Sequence, residues 1–261
     1  MPQDAERRQW ARVFHPAPDA PVRLVCFPHA GGTASYFGPL ARASAPAVEV
    51  TAIQYPGRQD RFREPCLSSV DELADAVVGP MTAADDRPVA LFGHSLGASV
   101  AFEVACRLEG LGRAPLAVFV SGRRAPSRPR DDSVHSLGDD ALVAEIGKLG
   151  GTDPRVLAEK ELLRLALPAV RADFRAAETY RWRGSGPISS PLHVHVGDDD
   201  PRVTEDEARA WAAHTTGICT LTRHPGGHFY LDSRTDQVLA AIRHELFSRA
   251  PSDRIPPRSS T

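Results

Sequence analysis

Three residue types that together perform nucleophilic acyl transfer occur along this chain in a definite order: a serine, a run of aspartates and a late histidine. Ser95 stands in Gly93-His94-Ser95-Leu96-Gly97, after the apolar run Val89-Ala90-Leu91-Phe92 and before Ala98-Ser99-Val100-Ala101-Phe102. A Gly-x-Ser-x-Gly pentapeptide at such a strand-to-helix junction forms a turn so sharp that the serine backbone is strained and its Oγ is lifted to the sheet edge. The turn also places the Leu96 amide at a helix N-terminus, where it can face an oxyanion. Serine is a poor nucleophile at neutral pH. A histidine must take its proton, and an aspartate must hold that imidazole in the right tautomer.

The partners follow downstream. Leu192-His193-Val194-His195-Val196 reads as a strand and runs into Gly197-Asp198-Asp199-Asp200-Pro201. Cys219-Thr220-Leu221-Thr222 leads to Arg223-His224-Pro225-Gly226-Gly227-His228-Phe229. Asp200 precedes Pro201, which biases it to an extended conformation at the loop exit and favours it as the third member. Asp198 and Asp199 stay open, with Asp198 also suited to capping the turn. Of ten histidines, only His228 follows both a late strand and a Gly-Gly turn. His94, inside the pentapeptide, is expected to point away from the approach of a base. His224, before Pro225, reads as loop surface. His193 and His195 share a strand face, but no third ligand is placed by spacing to make a metal site.

An oxyanion needs a second donor. Val22-Arg23-Leu24-Val25-Cys26-Phe27 reads as a buried strand and ends in Pro28-His29-Ala30-Gly31-Gly32-Thr33, ahead of a helix expected near Ser35. The glycines allow positive φ and close approach to a ligand. The Ala30 and Leu96 amides are therefore the expected oxyanion donors.

These groups need a scaffold. Strand-like runs lie at Arg23–Phe27, Val48–Tyr55, Val89–Gly93, Ala117–Ser121, His193–Val196 and Cys219–Arg223. Helical patterns lie at Asp71–Met81, Leu96–Leu111, Asp206–His214 and Thr235–Ser248. The alternation predicts one α/β domain over 1–261, a mostly parallel central sheet flanked by helices. From about 133 to 183 the alternation stops. Leu137, Leu142, Val143, Ile146 and Leu149 have helical spacing, as do Leu162, Leu163, Leu167 and Val170, and Pro154 and Pro168 read as helix starts. This predicts a helical insertion of the lid kind, with Phe174, Tyr180 and Trp182 as wall or core residues. The ends, about 1–20 and 250–261, are expected to be mobile.

The order Ser95, Asp, His228 is that of the α/β-hydrolases, and a closer resemblance spans most of the chain. It rests on Phe27-Pro28-His29-Ala30-Gly31-Gly32, Gln54-Tyr55-Pro56-Gly57-Arg58, Phe92-Gly93-His94-Ser95-Leu96-Gly97 and Ser121-Gly122-Arg123-Arg124-Ala125-Pro126. It continues in Pro168-x-x-Arg171-Ala172-Asp173-Phe174 with Tyr180, Gly197 to Pro201, and Pro225-Gly226-Gly227-His228-Phe229. The chain resembles the type II thioesterases, discrete α/β-hydrolases that accompany polyketide synthases and nonribosomal peptide synthetases. Leu96 departs from the Met common there, but it contributes only a backbone amide. The resemblance implies hydrolysis of acyl groups from the phosphopantetheine arms of acyl or peptidyl carrier proteins, clearing aberrant or stalled units. It implies the catalytic set Ser95, Asp200 and His228. His29, Phe174, Tyr180 and Phe229 become substrate-binding candidates, and Arg58, Arg123 and Arg124 carrier-docking candidates, with internal loop bracing the alternative for the arginines. A small-molecule carboxylesterase or peptidase would use the same triad, whereas intact Ser95 and His228 argue against a non-catalytic protein of this fold.

Composition agrees at a coarser level. At 261 residues, 42% hydrophobic and 25% charged, the chain is long enough for one full core with an insertion. A net charge of −2 gives no reason to expect nucleic-acid or membrane partners. There is neither an 18-residue apolar run nor a signal-peptide pattern. The scattered Cys26, Cys66, Cys106 and Cys219 read as reduced thiols of a cytoplasmic protein. A cofactor-free enzyme, monomeric and without a metal, is the expectation.

Overall fold

Strands buried on both faces read as near-continuous apolar runs, and the alternation of their side chains sends successive residues to opposite layers. In Arg23–Phe27, Leu24 and Cys26 face one core and Val25 and Phe27 the other. Ala90 and Phe92 side with Leu24, while Leu91 sides with Val25. The computed structural model describes residues 7–82, 87–150, 159–184 and 186–248. Its strands are β1 (Ala11–Arg12), β2 (Arg23–Phe27), β3 (Glu49–Ile53), β4 (Val89–His94), β5 (Val118–Ser121), β6 (Leu192–Gly197) and β7 (Cys219–His224). They form one sheet in the order β1-β3-β2-β4-β5-β6-β7. All pairs are parallel except β1 with β3.

The helices among the described residues are α1 (Gly38–Ser44), α2 (Val70–Thr82), α3 (Leu96–Gly110), α4 (Asp139–Leu149), α5 (Lys160–Thr179), α6 (Glu205–Arg209) and α7 (Leu231–Phe247). α1 and α7 bury Leu40, Ala41, Leu231, Val238 and Ile242 on one face of the sheet. α2 and α3 bury Leu73, Val77, Val100 and Val104 on the other. α4 and α5 share a separate small core, Leu142, Leu167, Val170 and Phe174. Between β5 and β6 the described chain carries no strand, as the broken alternation predicts.

Register brings the strand ends together. Phe27 pairs with Gly93, His94 with Ser121, Ser121 with His195, and Gly197 with His224. The loops that follow β2, β4, β5, β6 and β7 therefore leave from one edge, where open α/β sheets bind their ligands.

Three expectations are corrected. Residues 7–20 are not a loose end: Ala11 and Arg12 pair with Ile53 and Ala52, and Trp10 is buried under the Arg61 guanidinium, 4.1 Å from its ring. A two-residue strand is too short for alternation to reveal. Pro168 lies inside α5 rather than at its start. The helix expected near Ser35 is a 3-10 turn, Ala34–Phe37, leading into α1. Pro154 and the stretches 1–6 and 249–261 lie outside the described residues. No helix among the described residues is long and apolar enough to cross a membrane.

Candidate active site

β4 delivers Ser95 through a turn that only small neighbours permit. Ser95 has φ 54° and ψ −116°, a left-handed backbone that costs a non-glycine residue of order 1–3 kcal/mol. A Cβ on Gly93 would lie 2.0 Å from the Gly97 carbonyl oxygen, and one on Gly97 would lie 2.0 Å from that of Phe27. The Ser95 amide donates to the Ser121 carbonyl at 2.8 Å, which locks the turn to β5. α3 starts at Leu96, so its first amides and its dipole face the serine.

The histidine and the aspartate arrive from β7 and β6. His228 Nδ1 lies 2.9 and 3.0 Å from the two Asp200 carboxylate oxygens. The Asp200 side chain is fully shielded from solvent and that of His228 nearly so. The Arg202 amide donates to Asp200 Oδ1 at 2.8 Å and holds the carboxylate in place. Of the three adjacent aspartates, Asp200 is the one that meets His228: Asp198 pairs with Arg223 on the surface, and Asp199 is exposed. Ser95 and His228 line the same cavity, of about 180 Å³.

Around this pair the structure brings together more than the sequence indicates. Gly122 has φ +60°, and a Cβ there would lie 2.8 Å from His94 Cε1 and 3.3 Å from His228 Cε1. Both imidazoles thus rest on a bare glycine. His94 does not point away as expected: its ring centre lies 5.1 Å from that of His228. Its Nδ1 is 2.8 Å from Ser121 Oγ, which is 2.5 Å from the Tyr230 hydroxyl. Burial, then the neighbouring His228 and His29, hold His94 well below the usual imidazole range. It stays neutral. Ser121 and Gly122 were visible only as part of a motif, and nothing local signalled their contacts with Tyr230 and His228 beyond β7.

His224 corrects a second expectation. It is 3% exposed, and its Nε2 lies 2.9 Å from His195 Nδ1. The proline after it suggests a surface loop, but β7 runs through His224 and pairs it with Gly197. His193 Nδ1 lies 2.8 Å from Thr220 Oγ1. Among the described residues no three His, Cys, Asp or Glu side chains are grouped to hold a metal.

The predicted substrate-binding residues divide. His29, Phe174 and Phe229 line the cavity. The His29 ring sits edge-on to Phe229 at 4.8 Å and Tyr36 at 4.5 Å. Burial, then His228 and Arg58, push its pKa down to about 3. Tyr180 is displaced from the cavity: its hydroxyl donates to Glu103 Oε1 at 2.6 Å on α3. Trp182 likewise stacks edge-on to His214 at 4.7 Å. Ile146, Leu149, Leu163 and Val170 from α4 and α5 complete an apolar wall. Ala30, the other expected oxyanion donor, also faces this space.

The three arginines assigned to docking are engaged inside the protein. Arg58 is 7% exposed and its guanidinium grips the buried Asp173 carboxylate at 2.5 and 2.9 Å. Arg123 donates from Nε to Ser99 Oγ and from Nη2 to the Ala177 carbonyl in the last turn of α5, a cationic C-cap. Burial, then Arg124 and Arg202, bring its pKa down to about 9. Arg124 is 6% exposed and pairs with Asp132 at 3.1 Å. All three thus brace the fold, the alternative expected for them, while Arg123 and Arg124 also line the cavity that holds Ser95. A second cavity, of about 200 Å³, lies by Arg23, Glu49 and Val89, the first residues of β2, β3 and β4. It is remote from Ser95 and at the strand ends where such sheets do not place their chemistry.

A strained serine, a buried Asp–His pair and an apolar cavity beside them are the parts of a serine hydrolase. Comparison with known proteins narrows this. A family model described as "Thioesterase domain" matches residues 22–246. Thioesterase PikA5 of Streptomyces venezuelae is 49% identical over 264 residues, covering 99% of this chain and 94% of its own. The probable cadicidin biosynthesis thioesterase of Streptomyces griseus is 47% identical over 243 residues, covering 93% of this chain and 67% of its own. The structure of the type II thioesterase BorB, from the borrelidin biosynthetic cluster, superposes with a TM-score of 0.86 at 50% identity, covering 91% of this chain and 97% of that one. With the sheet order and the strand-end site already in place, these matches make the chain a member of the thioesterase domain family, an α/β hydrolase acting on thioesters.

Proposed function

We propose that this chain is a type II thioesterase that removes acyl groups from the phosphopantetheine arms of acyl or peptidyl carrier proteins, clearing aberrant or stalled units through an acyl-enzyme. The carrying observation is the buried Asp200–His228 pair at 2.9 Å beside a half-buried Ser95 held at φ 54°. Ser95 Oγ attacks the thioester carbonyl while His228 takes its proton. The Ala30 and Leu96 amides stabilise the oxyanion. Collapse of the tetrahedral intermediate breaks the C–S bond, and His228 returns the proton to the departing thiol. Water, deprotonated by His228, then attacks the Ser95 ester and releases the carboxylic acid. Asp200 holds His228 in the Nδ1–H tautomer and stabilises the imidazolium in both steps. His94, buried and neutral, does not compete for that proton.

α4 and α5 serve as the roof that receives the acyl chain, through Ile146, Leu149, Leu163, Val170 and Phe174. The likeness to relatives named for cadicidin and borrelidin biosynthesis supports the carrier-bound substrate. The test is hydrolysis of one acyl group presented on a carrier protein and as the matching oxygen ester. A higher kcat/KM on the carrier is expected, and preference for the ester would favour a small-molecule carboxylesterase. Ser95→Ala should form no acyl-enzyme by mass spectrometry and retain only a residual rate, of order 10³–10⁴ over water. Full activity in that variant would remove Ser95 from the mechanism.

A further inference from the structure

In the loop after β2, two of the three successive amides of Ala30, Gly31 and Gly32 are already taken. Gly32 N donates to the His29 carbonyl at 2.9 Å. Gly31 N donates to Asp173 Oδ2 at 2.7 Å. Among the described residues the Ala30 amide has no acceptor. Asp173 belongs to α5, in the roof, 142 positions along the chain from Gly31. Its carboxylate is fully buried, a state that is tolerable only with its lone pairs filled. Arg58 supplies two donors, and its Nη1 also reaches the Gly32 carbonyl at 3.2 Å. One turn before Asp173, Val170 lies against the loop: a Cβ on Gly31, which has φ +76°, would be 2.9 Å from Val170 Cγ2.

We propose that Asp173 is a positioning residue for oxyanion stabilisation: by capturing the Gly31 amide it sets the Ala30–Gly31 peptide, leaves the adjacent Ala30 amide free for the oxyanion, and makes that donor depend on α5 being seated. The roof is then part of the catalytic geometry as well as a cover. When α5 is seated, Asp173, Val170 and Arg58 hold the loop from one side. When it is not, the Gly31 amide loses its acceptor and the loop its fixed plane. The inference rests on the acyl-enzyme reading above.

Two double variants isolate it. Arg58→Met with Asp173→Asn and Arg58→Met with Asp173→Leu both delete the buried ion pair, so neither leaves an unpaired charge. They differ in whether an oxygen remains for the Gly31 amide. Loss of a whole oxyanion donor costs about 10²–10³ in kcat, so a misplaced donor should leave the leucine double roughly 10–100-fold below the asparagine double. KM should agree between them, and affinity for an acyl trifluoromethyl ketone, which forms a tetrahedral adduct, should fall with kcat. Equal kcat values in the two doubles, or losses in KM alone, would overturn the proposal. The wild-type protein gives a test that needs no variant to fold. By amide exchange in NMR, the Gly31 amide should be protected in the free enzyme, and the Ala30 amide should become protected only when the ketone binds. An unprotected Gly31 amide, or an Ala30 amide indifferent to the ketone, would equally refute it. If Ser95→Ala is inactive while the two doubles share one kcat, the acyl-enzyme reading stands and the role of Asp173 does not.

Discussion

Beneath the cavity, Ser95, Gly122 and Asp198 are each tied to a neighbouring strand by main-chain hydrogen bonds, to Ser121, His195 and His224 at 2.8, 2.9 and 2.8 Å. Above it, α4 and α5 are seated by side chains. Glu178 accepts from the Val134 and His135 amides at 3.0 Å each, Arg171 donates to the His135 and Leu137 carbonyls at 2.6 Å, and Asp173 joins Arg58 and Gly31. The floor shares the large cores of the sheet, whereas the roof adds a small one, built on Leu142, Leu167, Val170 and Phe174, and meets the large core through Ala176 and Ala177 at the end of α5. A main-chain lattice gives way cooperatively, because every bond shares its neighbours' geometry. A roof on side-chain ties can be loosened one residue at a time. The difference suits the proposed function, in which the reacting groups must not move but the acyl wall must receive substrates.

The largest effect expected is at the floor. Asp200→Asn should lower kcat by about 10⁴, as loss of the orienting carboxylate does in the serine-protease template, whereas Asp199→Asn should leave kcat near wild type. Steady-state rates on an acyl-pantetheine decide it. A large loss in Asp199→Asn instead would move the triad by one register and break the picture of a floor set by strand ends.

The roof is tested next by stability. Arg58→Ala leaves the fully buried Asp173 carboxylate without its cation and should cost about 3–5 kcal/mol in urea unfolding. Removing the exposed Arg209–Glu205 pair should leave the unfolding midpoint close to that of the wild type. Similar small costs for both would mean that the ion pair does not hold the roof.

A third test separates the two by pH. His29 and His195 are held down to about 3, and His94 well below its usual range, in each case chiefly by burial. These groups belong to the floor and to the loop beside it. Their folded values lie below the unfolded value of 6.5, so their contribution is full above that pH. It is lost as pH falls from 6.5 towards about 3, because the unfolded chain takes up protons that the folded one refuses. The melting temperature should therefore be flat above neutrality and fall through the range from 6.5 to 4.5. A flat profile there would show that these imidazoles protonate in the folded protein.

The smallest effect sharpens the link between floor strands. Tyr230→Phe removes the hydroxyl that reaches Ser121 but keeps the ring stacked 4.7 Å from His224. The expected loss is about 1 kcal/mol of stability, read by urea unfolding. No loss would mean that the Ser121–Tyr230 bond is idle and that His228 is located by the Asp200 contact and the main chain alone.

The elements with a period written into contiguous residues were legible. β2 is read at its true ends, β4 and β7 to one residue, and α3 begins at Leu96 as expected. The elbow was legible too, because its demands fall on residues within two positions of Ser95. Asp200 was favoured by a local fact, the proline after it. β1 was missed because two residues cannot display an alternation. His224 was misread because a following proline says nothing about which strand pairs beyond it.

What the sequence by itself determined is therefore the local geometry: a sheet of apolar strands, an elbow that strains Ser95, and the order in which Ser95, an aspartate of the run 198–200 and His228 are presented. These follow from sterics and periodicity acting over a few residues. Only the tertiary structure decided the destination of each charge and buried ring. Arg58 and Asp173 stand 115 positions apart, and nothing in either neighbourhood says whether a guanidinium meets solvent, a partner or a carboxylate. The contact of Gly122 with two imidazoles, the burial of His224 and the removal of Tyr180 to Glu103 are of the same kind. Each depends on strand register and helix seating across the whole sheet, where desolvation leaves a buried polar group no acceptable place except beside its complement.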